Sequence, residues 1–268
     1  MRRTFATALT ATLLLGACAG TPGTDPVRAG LDAGPAEGSF MSDFAEGDRR
    51  GYWQRGDYAV TSDVQRSRYL PENISFDDTG LMISISPPLE AGGYYRSGAY
   101  RSVRAYGDGR FEAALRPASG SGLVTSFFLY SSSAAAEDDG EITIQFAGRD
   151  TTQVQFTYIR EGGARYTHVH ELDFDAADEV HLYAFERAGE TVRWFVDGEL
   201  AHETDEAAPL PPTAEATLLV NLWAAESAAA EMAGGIEFAE PRQARVDCIS
   251  FTEPGDDHPS CGMPATSE

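Results

Sequence analysis

The sequence predicts an all-β protein, folded as an antiparallel β-sandwich or jelly roll. Short strand signals follow one another along the chain, and Gly, Pro, Asp and Ser residues separate them. Helical periodicity is almost absent, and strands do not alternate with helices. Many short strands with regular turns are typical of a two-layer antiparallel architecture.

The individual elements follow from local patterns. Residues 123–130 are nearly continuously apolar, as expected of a strand buried on both faces, and Asp197-Gly198 is a hairpin turn signal. Residues 224–232 are rich in Ala and Glu; we predict a loop there, with one turn of helix as the alternative. The predicted strands cover residues 81–86, 109–115, 123–130, 141–146, 152–158, 180–186, 191–196, 218–223 and 244–252.

The N-terminus predicts export. Residues 1–17 form a signal peptide, with Arg2 and Arg3 ahead of a short apolar run. Leu15-Gly16-Ala17-Cys18 resembles a bacterial lipobox, which predicts a lipid on Cys18 and an outer-membrane or periplasmic location. An ordinary secretory signal with an incidental cysteine is the alternative.

The rest of the chain divides into three parts. Residues 18–38 form a flexible tether rich in Gly, Pro and Ala. Residues 39–253 form one β-sandwich domain, and residues 254–268 form a C-terminal tail. In an oxidising compartment Cys248 and Cys261 pair and hold this tail to the last strand; two free thiols are the alternative.

The charge of the chain limits its partners. The formal net charge is −22, and such a surface repels the phosphates of nucleic acids and anionic lipid head groups. We therefore expect a neutral polysaccharide as the partner, no nucleic acid, and contact with the membrane only through the lipid anchor; we also expect a monomer.

The strand at residues 141–146 carries the candidate chemistry. Because side chains alternate along a strand, Glu141, Thr143 and Gln145 share one face, and the apolar residues between them enter the core. In a curved sheet the polar face lines a cleft.

At this strand the chain resembles glycoside hydrolase family 16, and especially its bacterial mixed-linkage endo-β-glucanases, the lichenases. The family strand Glu-Ile-Asp-Ile-Glu-Phe-Leu-Gly corresponds to Glu-Ile-Thr-Ile-Gln-Phe-Ala-Gly at residues 141–148. The resemblance implies a concanavalin A-like glucanase sandwich and no catalytic cofactor. Further similar segments lie in the same order at residues 101–102, 106–107, 109–112, 122–128, 150–156, 181–185, 194–198 and 221–223.

The resemblance also assigns catalytic positions. Family members are retaining glycosidases with a nucleophilic carboxylate and an acid/base carboxylate about 5 Å apart. Glu141 falls on the nucleophile, Thr143 on an intervening aspartate and Gln145 on the acid/base. Glutamine cannot transfer the proton, and losing a positioned acid/base costs about 10²–10⁴-fold in rate.

The family cleft is conserved in part. The resemblance implies glycan contacts, or alternatively packing within the sheet, at Arg101, Phe128, Tyr130, Gln155, Tyr158, Asn221 and Trp223. Other family cleft residues are replaced, at Asp139-Gly140, Thr157 and Ala99.

Two metal sites are also considered. The resemblance implies a structural Ca²⁺ with a carboxylate at Asp247 and a carbonyl near Gly80, although Asp247 also suits an ordinary strand end. His168 and His170 share one strand face, but no third ligand has an obvious spacing, so we favour ordinary sheet histidines.

The sequence thus predicts an envelope lipoprotein that acts on or binds a β-linked polysaccharide, a β-glucan or a related exopolysaccharide, with weak or absent hydrolysis. The alternative is an active endo-β-glucanase or transglycosylase, in which Glu137, Asp138 or Asp139 supplies the acid. A purely structural envelope protein is a third interpretation.

Overall fold

The computed structural model describes residues 38–44, 47, 51–131, 140–160, 165–205, 208–209 and 211–263. In chain order the first strands are β1 (Phe40–Ser42), β2 (Trp53–Arg55), β3 (Tyr58–Thr61), β4 (Arg66–Tyr69), β5 (Ile74–Asp77), β6 (Gly80–Ile85), β7 (Tyr95–Tyr106), β8 (Gly109–Arg116) and β9 (Leu123–Ser131). They are followed by β10 (Gly140–Ala147), β11 (Gln153–Arg160), β12 (Arg165–Glu171), β13 (His181–Ala188), β14 (Thr191–Val196), β15 (Glu199–Glu203), β16 (Ala216–Ala224) and β17 (Arg242–Thr252). A 3-10 helix (Pro71–Asn73) and a short helix α1 (Ala230–Ala233) complete the described elements.

The strands form two sheets, which confirms the predicted sandwich. The first sheet has the order β15-β14-β13-β8-β17-β6-β5, with β1 paired to β17. The second has the order β12-β11-β10-β9-β16-β7-β4-β3, with β2 paired to β7. Pairing is antiparallel apart from β4 and β7, which run parallel.

The core lies between the sheets and is rich in aromatic rings. Phe111 stacks on Phe185 with ring centroids 5.0 Å apart, and Phe127 packs against Phe185 from the other sheet. Trp194 lies parallel to Phe156 at 5.5 Å. Burying each such side chain stabilises the fold by about 1.5–3 kcal/mol, so these contacts fix how the two sheets face each other.

The local predictions hold at two turns. Asp197 and Gly198 both have positive φ, at 49° and 83°, which is the backbone that a two-residue hairpin between β14 and β15 requires. The Ala- and Glu-rich segment after β16 is mostly loop, with the single turn α1 at its end.

The C-terminal tail packs on the outer face of the first sheet. Cys248 and Cys261 form the predicted disulfide, with Cα atoms 5.8 Å apart. The buried carboxylate of Glu112 accepts hydrogen bonds from Ser250 Oγ and the Gly262 amide, both at 3.1 Å. Burial alone raises the pKa of Glu112, but hydrogen bonds from Arg110, Ser260 and Gly262 outweigh it and hold that pKa below its usual value.

The export signal, lipid site and most of the tether (residues 1–37) lie outside the described residues, as do Glu137, Asp138, Asp139 and residues 264–268. Within the described part of the chain, no helix has the length and apolar character needed to cross a membrane.

Candidate active site

The polar strand β10 lies in the second sheet between β9 and β11. Ile142 and Ile144 are fully buried in the core between the sheets, so Glu141, Thr143 and Gln145 occupy the opposite face as predicted. Gly140 starts the strand where a Cβ atom would lie 2.0 Å from the Ile159 carbonyl oxygen. Only glycine fits there, and this close approach sets β10 against β11 immediately before Glu141.

Glu141 is partly buried, and it is the one carboxylate among the three polar side chains of β10. Burial raises its pKa above the usual carboxyl value. A hydrogen bond from Thr143 Oγ1 to Glu141 Oε1 and the charge of Arg165 act in the opposite direction. Thr143 thus stabilises the charged form of Glu141.

Gln145 is 1% exposed, and its Nε2 donates to the Met232 sulfur at 2.7 Å. Met232 belongs to α1, and it covers the side-chain amide of Gln145. A primary amide is too weak an acid and too weak a base to exchange a proton with a glycosidic oxygen. Residue 145 therefore supplies no general acid, and its side chain has almost no access to solvent.

Two predicted cleft residues lie deep beside Gln145. Asn221 Nδ2 donates to the Tyr69 hydroxyl at 3.4 Å, whereas Asn221 Oδ1 is buried without a hydrogen-bond partner. Trp223 is 4% exposed and donates from Nε1 to Ser126 Oγ at 3.1 Å. Trp223 is buried in a cluster with Val124 and Ala233. In this structure it therefore packs within the protein and does not lie on the open surface.

The open part of the cleft lies nearer Glu141. Phe128 and Leu219 form a small apolar cluster against which Tyr58 and Tyr130 pack. Tyr130 pairs directly with Glu141 across β9 and β10 and keeps part of its ring exposed. The partly exposed Tyr58 and Tyr130 thus place apolar ring surface near Glu141, and a sugar ring can stack on such a surface.

Arg101 and Gln155 extend this face on either side. Arg101 donates to Gln54 Oε1 at 2.9 Å, and its partial burial lowers its pKa. Gln155 donates to Thr157 Oγ1 at 3.1 Å and pairs with Gln145 across the strands. The structure thus brings Arg101, Phe128, Tyr130, Gln155, Asn221 and Trp223 to the same face as β10's polar residues.

The assignment of Tyr158 to glycan binding is wrong. Tyr158 is fully buried in the core, where its ring stacks on Tyr166 at 5.2 Å and its hydroxyl donates to the Pro209 carbonyl. Strand alternation explains this, because Thr157 faces the cleft and its neighbour must therefore face inward. Ile159, which pairs with Glu141, is the residue of β11 that faces the cleft there.

Sequence reasoning also missed three residues of the site. Arg165 acts electrostatically on Glu141 from β12, and its position follows from the alternation of that strand. Tyr58 reaches the open surface from β3, and Met232 covers Gln145 from α1. No local sequence signal indicates these last two contacts, because they arise from long-range packing.

The metal expectations find little support in the side chains. Both carboxylate oxygens of Asp247 accept hydrogen bonds from Arg245, at 2.5 and 2.9 Å, and Arg245 also donates to the Thr79 carbonyl. Binding of Ca²⁺ at Asp247 would therefore require that Arg245 move away from this carboxylate, and the calcium site stays a prediction. Gly80 lies against the backbone of residues 246–247. Within the described ranges, no group of three or more His, Cys, Asp or Glu side chains is arranged to hold a metal ion.

Comparison with known proteins identifies the class that this fold and cleft define. The profile described as Glycosyl hydrolases family 16 matches residues 61–240, and the chain belongs to that family. It is similar to the Beta-glucanase of Bacillus subtilis (strain 168), with 32% identity over 217 residues, 81% of this chain and 87% of the relative. The Beta-glucanase of Bacillus licheniformis is 34% identical over 187 residues, 69% of this chain and 74% of the relative.

Solved structures agree and make the chain lichenase-like. A crystal structure of Bacillus licheniformis beta-glucanase superposes with a TM-score of 0.74 and 31% identity, covering 81% of this chain and 99% of that one. A prokaryotic lichenase from a mouse hindgut metagenome gives a TM-score of 0.73 and 26% identity, with 81% and 99% coverage.

Proposed function

We propose that this chain is an exported, lipid-anchored envelope protein that binds a β-linked polysaccharide in its family 16 cleft and hydrolyses it weakly or not at all. One observation carries the proposal: the acid/base position holds Gln145, buried beneath Met232. Glu141 remains at the nucleophile position with a hydrogen bond from Thr143. The site can therefore surround a sugar, but among the described residues β10 supplies no second carboxyl group to protonate the leaving oxygen.

Binding is supported by the exposed part of the cleft. The partly exposed Tyr58 and Tyr130 supply apolar faces next to the buried Phe128, and the partly exposed Arg101 supplies a donor on the same side of the sheet. The relatives named above are beta-glucanases, so a β-glucan or a related exopolysaccharide is the proposed ligand class. The lipobox-like Cys18 supports anchoring at the outer membrane.

The second candidate is an active retaining endo-β-glucanase or transglycosylase with a substitute acid. The sequence position of three acidic residues supports this candidate. Ser131 and Gly140 pair with each other next to Glu141. The segment between them in the chain carries Glu137, Asp138 and Asp139. Product release from mixed-linkage β-glucan by the natural sequence, lost on replacing one of these acids by its amide, distinguishes this candidate from the first.

The binding proposal is tested by affinity electrophoresis of the mature protein in gels containing mixed-linkage β-glucan. We expect retardation by the natural sequence and at least about tenfold weaker binding, equivalent to 1.4 kcal/mol, for Tyr130→Ala. Tyr94→Ala is the matched control, because Tyr94 is exposed on a loop and hydrogen-bonds Thr61 outside the cleft. Equal retardation of all three proteins, or none, contradicts binding in this cleft.

A further inference from the structure

Three of the five histidines meet at one open edge of the sandwich. β12 is the edge strand of the second sheet and β15 is the edge strand of the first. Inward-facing residues of β12 lie opposite core residues of β11, and His202 approaches them from β15. We name this group the histidine clasp; its members are Tyr166, His168, His170 and His202.

The clasp joins the two sheets through ring contacts. His168 and His202 stack with centroids 3.7 Å apart and an interplanar angle of 2°. The Tyr166 hydroxyl hydrogen-bonds His202 Nε2. His170 lies 6.4 Å from His168, and Phe156 lies beneath both imidazoles at 6.3 and 5.8 Å.

The surroundings of the stacked pair favour neutral rings. Burial lowers the pKa of His168, and neighbouring His170 lowers it further. Burial also lowers the pKa of His202, with His168 and His170 adding to the effect and Asp205 opposing it. Phe156 from β11 and Trp194 from β14 pack here without bringing charge.

The clasp is connected to the cleft through β12 itself. Because side chains alternate, Arg165, Thr167 and Val169 face the cleft while the clasp residues face inward. Arg165 acts on Glu141 and directly precedes Tyr166 in the chain. A displacement of β12 at the clasp therefore also displaces the cation beside Glu141.

We propose that the histidine clasp is a pH-sensitive device: when His168 and His202 take up protons, two stacked cations repel, β12 separates from β15, and Arg165 moves away from Glu141. An imidazole held neutral by the fold makes the unfolded or opened state bind more protons. Stability from the clasp is therefore present above the unfolded histidine pKa of about 6.5 and is lost progressively as the pH falls below it.

The test is amide hydrogen exchange of the full mature protein at several pH values, corrected for intrinsic exchange. We expect protection of the amides of β12 and β15 to fall by about tenfold or more from about pH 7.5 to about pH 5.5. His168→Phe keeps a stacking ring without a titrating group, so its protection falls much less. His258→Gln, a change in the C-terminal tail, keeps the natural pH dependence.

An equal loss of protection in the natural protein and His168→Phe overturns the proposal. Should His168→Phe fail to fold, NMR titration of the natural protein replaces it. His168 and His202 are then expected to titrate below about pH 6.5, together with backbone shifts in β12. The proposal is also overturned if His168 and His202 both titrate at or above about pH 6.5, or if their titration leaves the backbone chemical shifts of β12 unchanged.

The consequence for glycan affinity rests on the proposed function, and a separate measurement tests it. Retardation in β-glucan gels is expected to change between the two pH values for the natural protein and to change less for His168→Phe. A large pH-dependent loss of amide protection, without glycan retardation at either pH, contradicts the binding function. It does not contradict the proposed pH sensitivity of the histidine clasp. Retardation that is insensitive to pH while the clasp opens contradicts the coupling through Arg165.

Discussion

Under the proposed function, replacing Gln145 by glutamate supplies the acid/base carboxyl group that hydrolysis requires. The change is isosteric, and it substitutes an oxygen for the Nε2 atom that now donates to Met232. Since residue 145 is 1% exposed, burial raises the pKa of the new carboxyl group. The group then carries its proton near neutral pH, which is the state a general acid needs.

The size of the gain follows from what a positioned acid supplies. General acid/base catalysis contributes about 10²–10⁴-fold, or about 3–5 kcal/mol of barrier. Met232 still covers residue 145, so we expect the rate gain of Gln145→Glu alone to lie near the lower end of this range. Adding Met232→Ala uncovers the carboxyl group and is expected to raise the rate further, because glycan oxygen can then reach it.

The assay is the initial rate of reducing-end release from mixed-linkage β-glucan. Four proteins are compared: the natural sequence, Gln145→Glu, Gln145→Glu with Met232→Ala, and Gln145→Glu with Glu141→Gln. We expect a rate at least about 100-fold above the natural one for the first variant and none for the Glu141→Gln combination. Two results would refute the view that Gln145 accounts for the lack of hydrolysis. One is an ordinary glycosidase rate from the natural sequence, and the other is no activity from either glutamate variant that retains Glu141.

Three further predictions concern the rest of the molecule. Replacing both Cys248 and Cys261 by serine removes a disulfide that joins residues 13 positions apart. Urea unfolding should then show a free energy of unfolding lower by about 3 kcal/mol. A reducing agent should lower the urea midpoint of the natural protein to that of the variant and leave the midpoint of the variant unchanged. Adding Ca²⁺ or a chelator should not shift the melting temperature, because Arg245 already pairs with Asp247; a clear stabilisation by Ca²⁺ contradicts this. Tyr158→Phe removes a buried hydroxyl's hydrogen bond and should cost about 1 kcal/mol of stability while β-glucan retardation stays unchanged; weaker retardation would return Tyr158 to the cleft.

The fold was predictable because its strongest strands carry clear patterns. Alternation alone places Ile142 and Ile144 in the core and Glu141, Thr143 and Gln145 outside it, as the structure shows. The short strands β2 to β5 were not predicted. Each has only three or four residues, too few for a period to emerge, and β2 and β4 also depend on pairing with the later strand β7.

The site was predictable only where strand position determines it. The family resemblance predicts a glycan contact at Tyr158 because the residue type matches. The role of this residue depends instead on the direction of its side chain, which points into the core. Met232 and the stacking of His168 on His202 join elements far apart in the chain. Contacts of this kind depend on how loops and sheet edges pack in three dimensions, and neighbouring sequence does not encode them.

The central claim is that the cleft keeps a working nucleophile and lacks an acid/base. It is tested most directly with a dinitrophenyl β-glycoside of a glucan oligosaccharide, whose leaving group departs as an anion without needing a proton. We predict release of about one equivalent of dinitrophenolate per protein, a glycosyl ester on Glu141 by mass spectrometry, and restored turnover to the β-glycosyl azide when azide replaces water as the nucleophile. Steady turnover without azide would reveal a working base and contradict the account, as would the absence of any ester on Glu141.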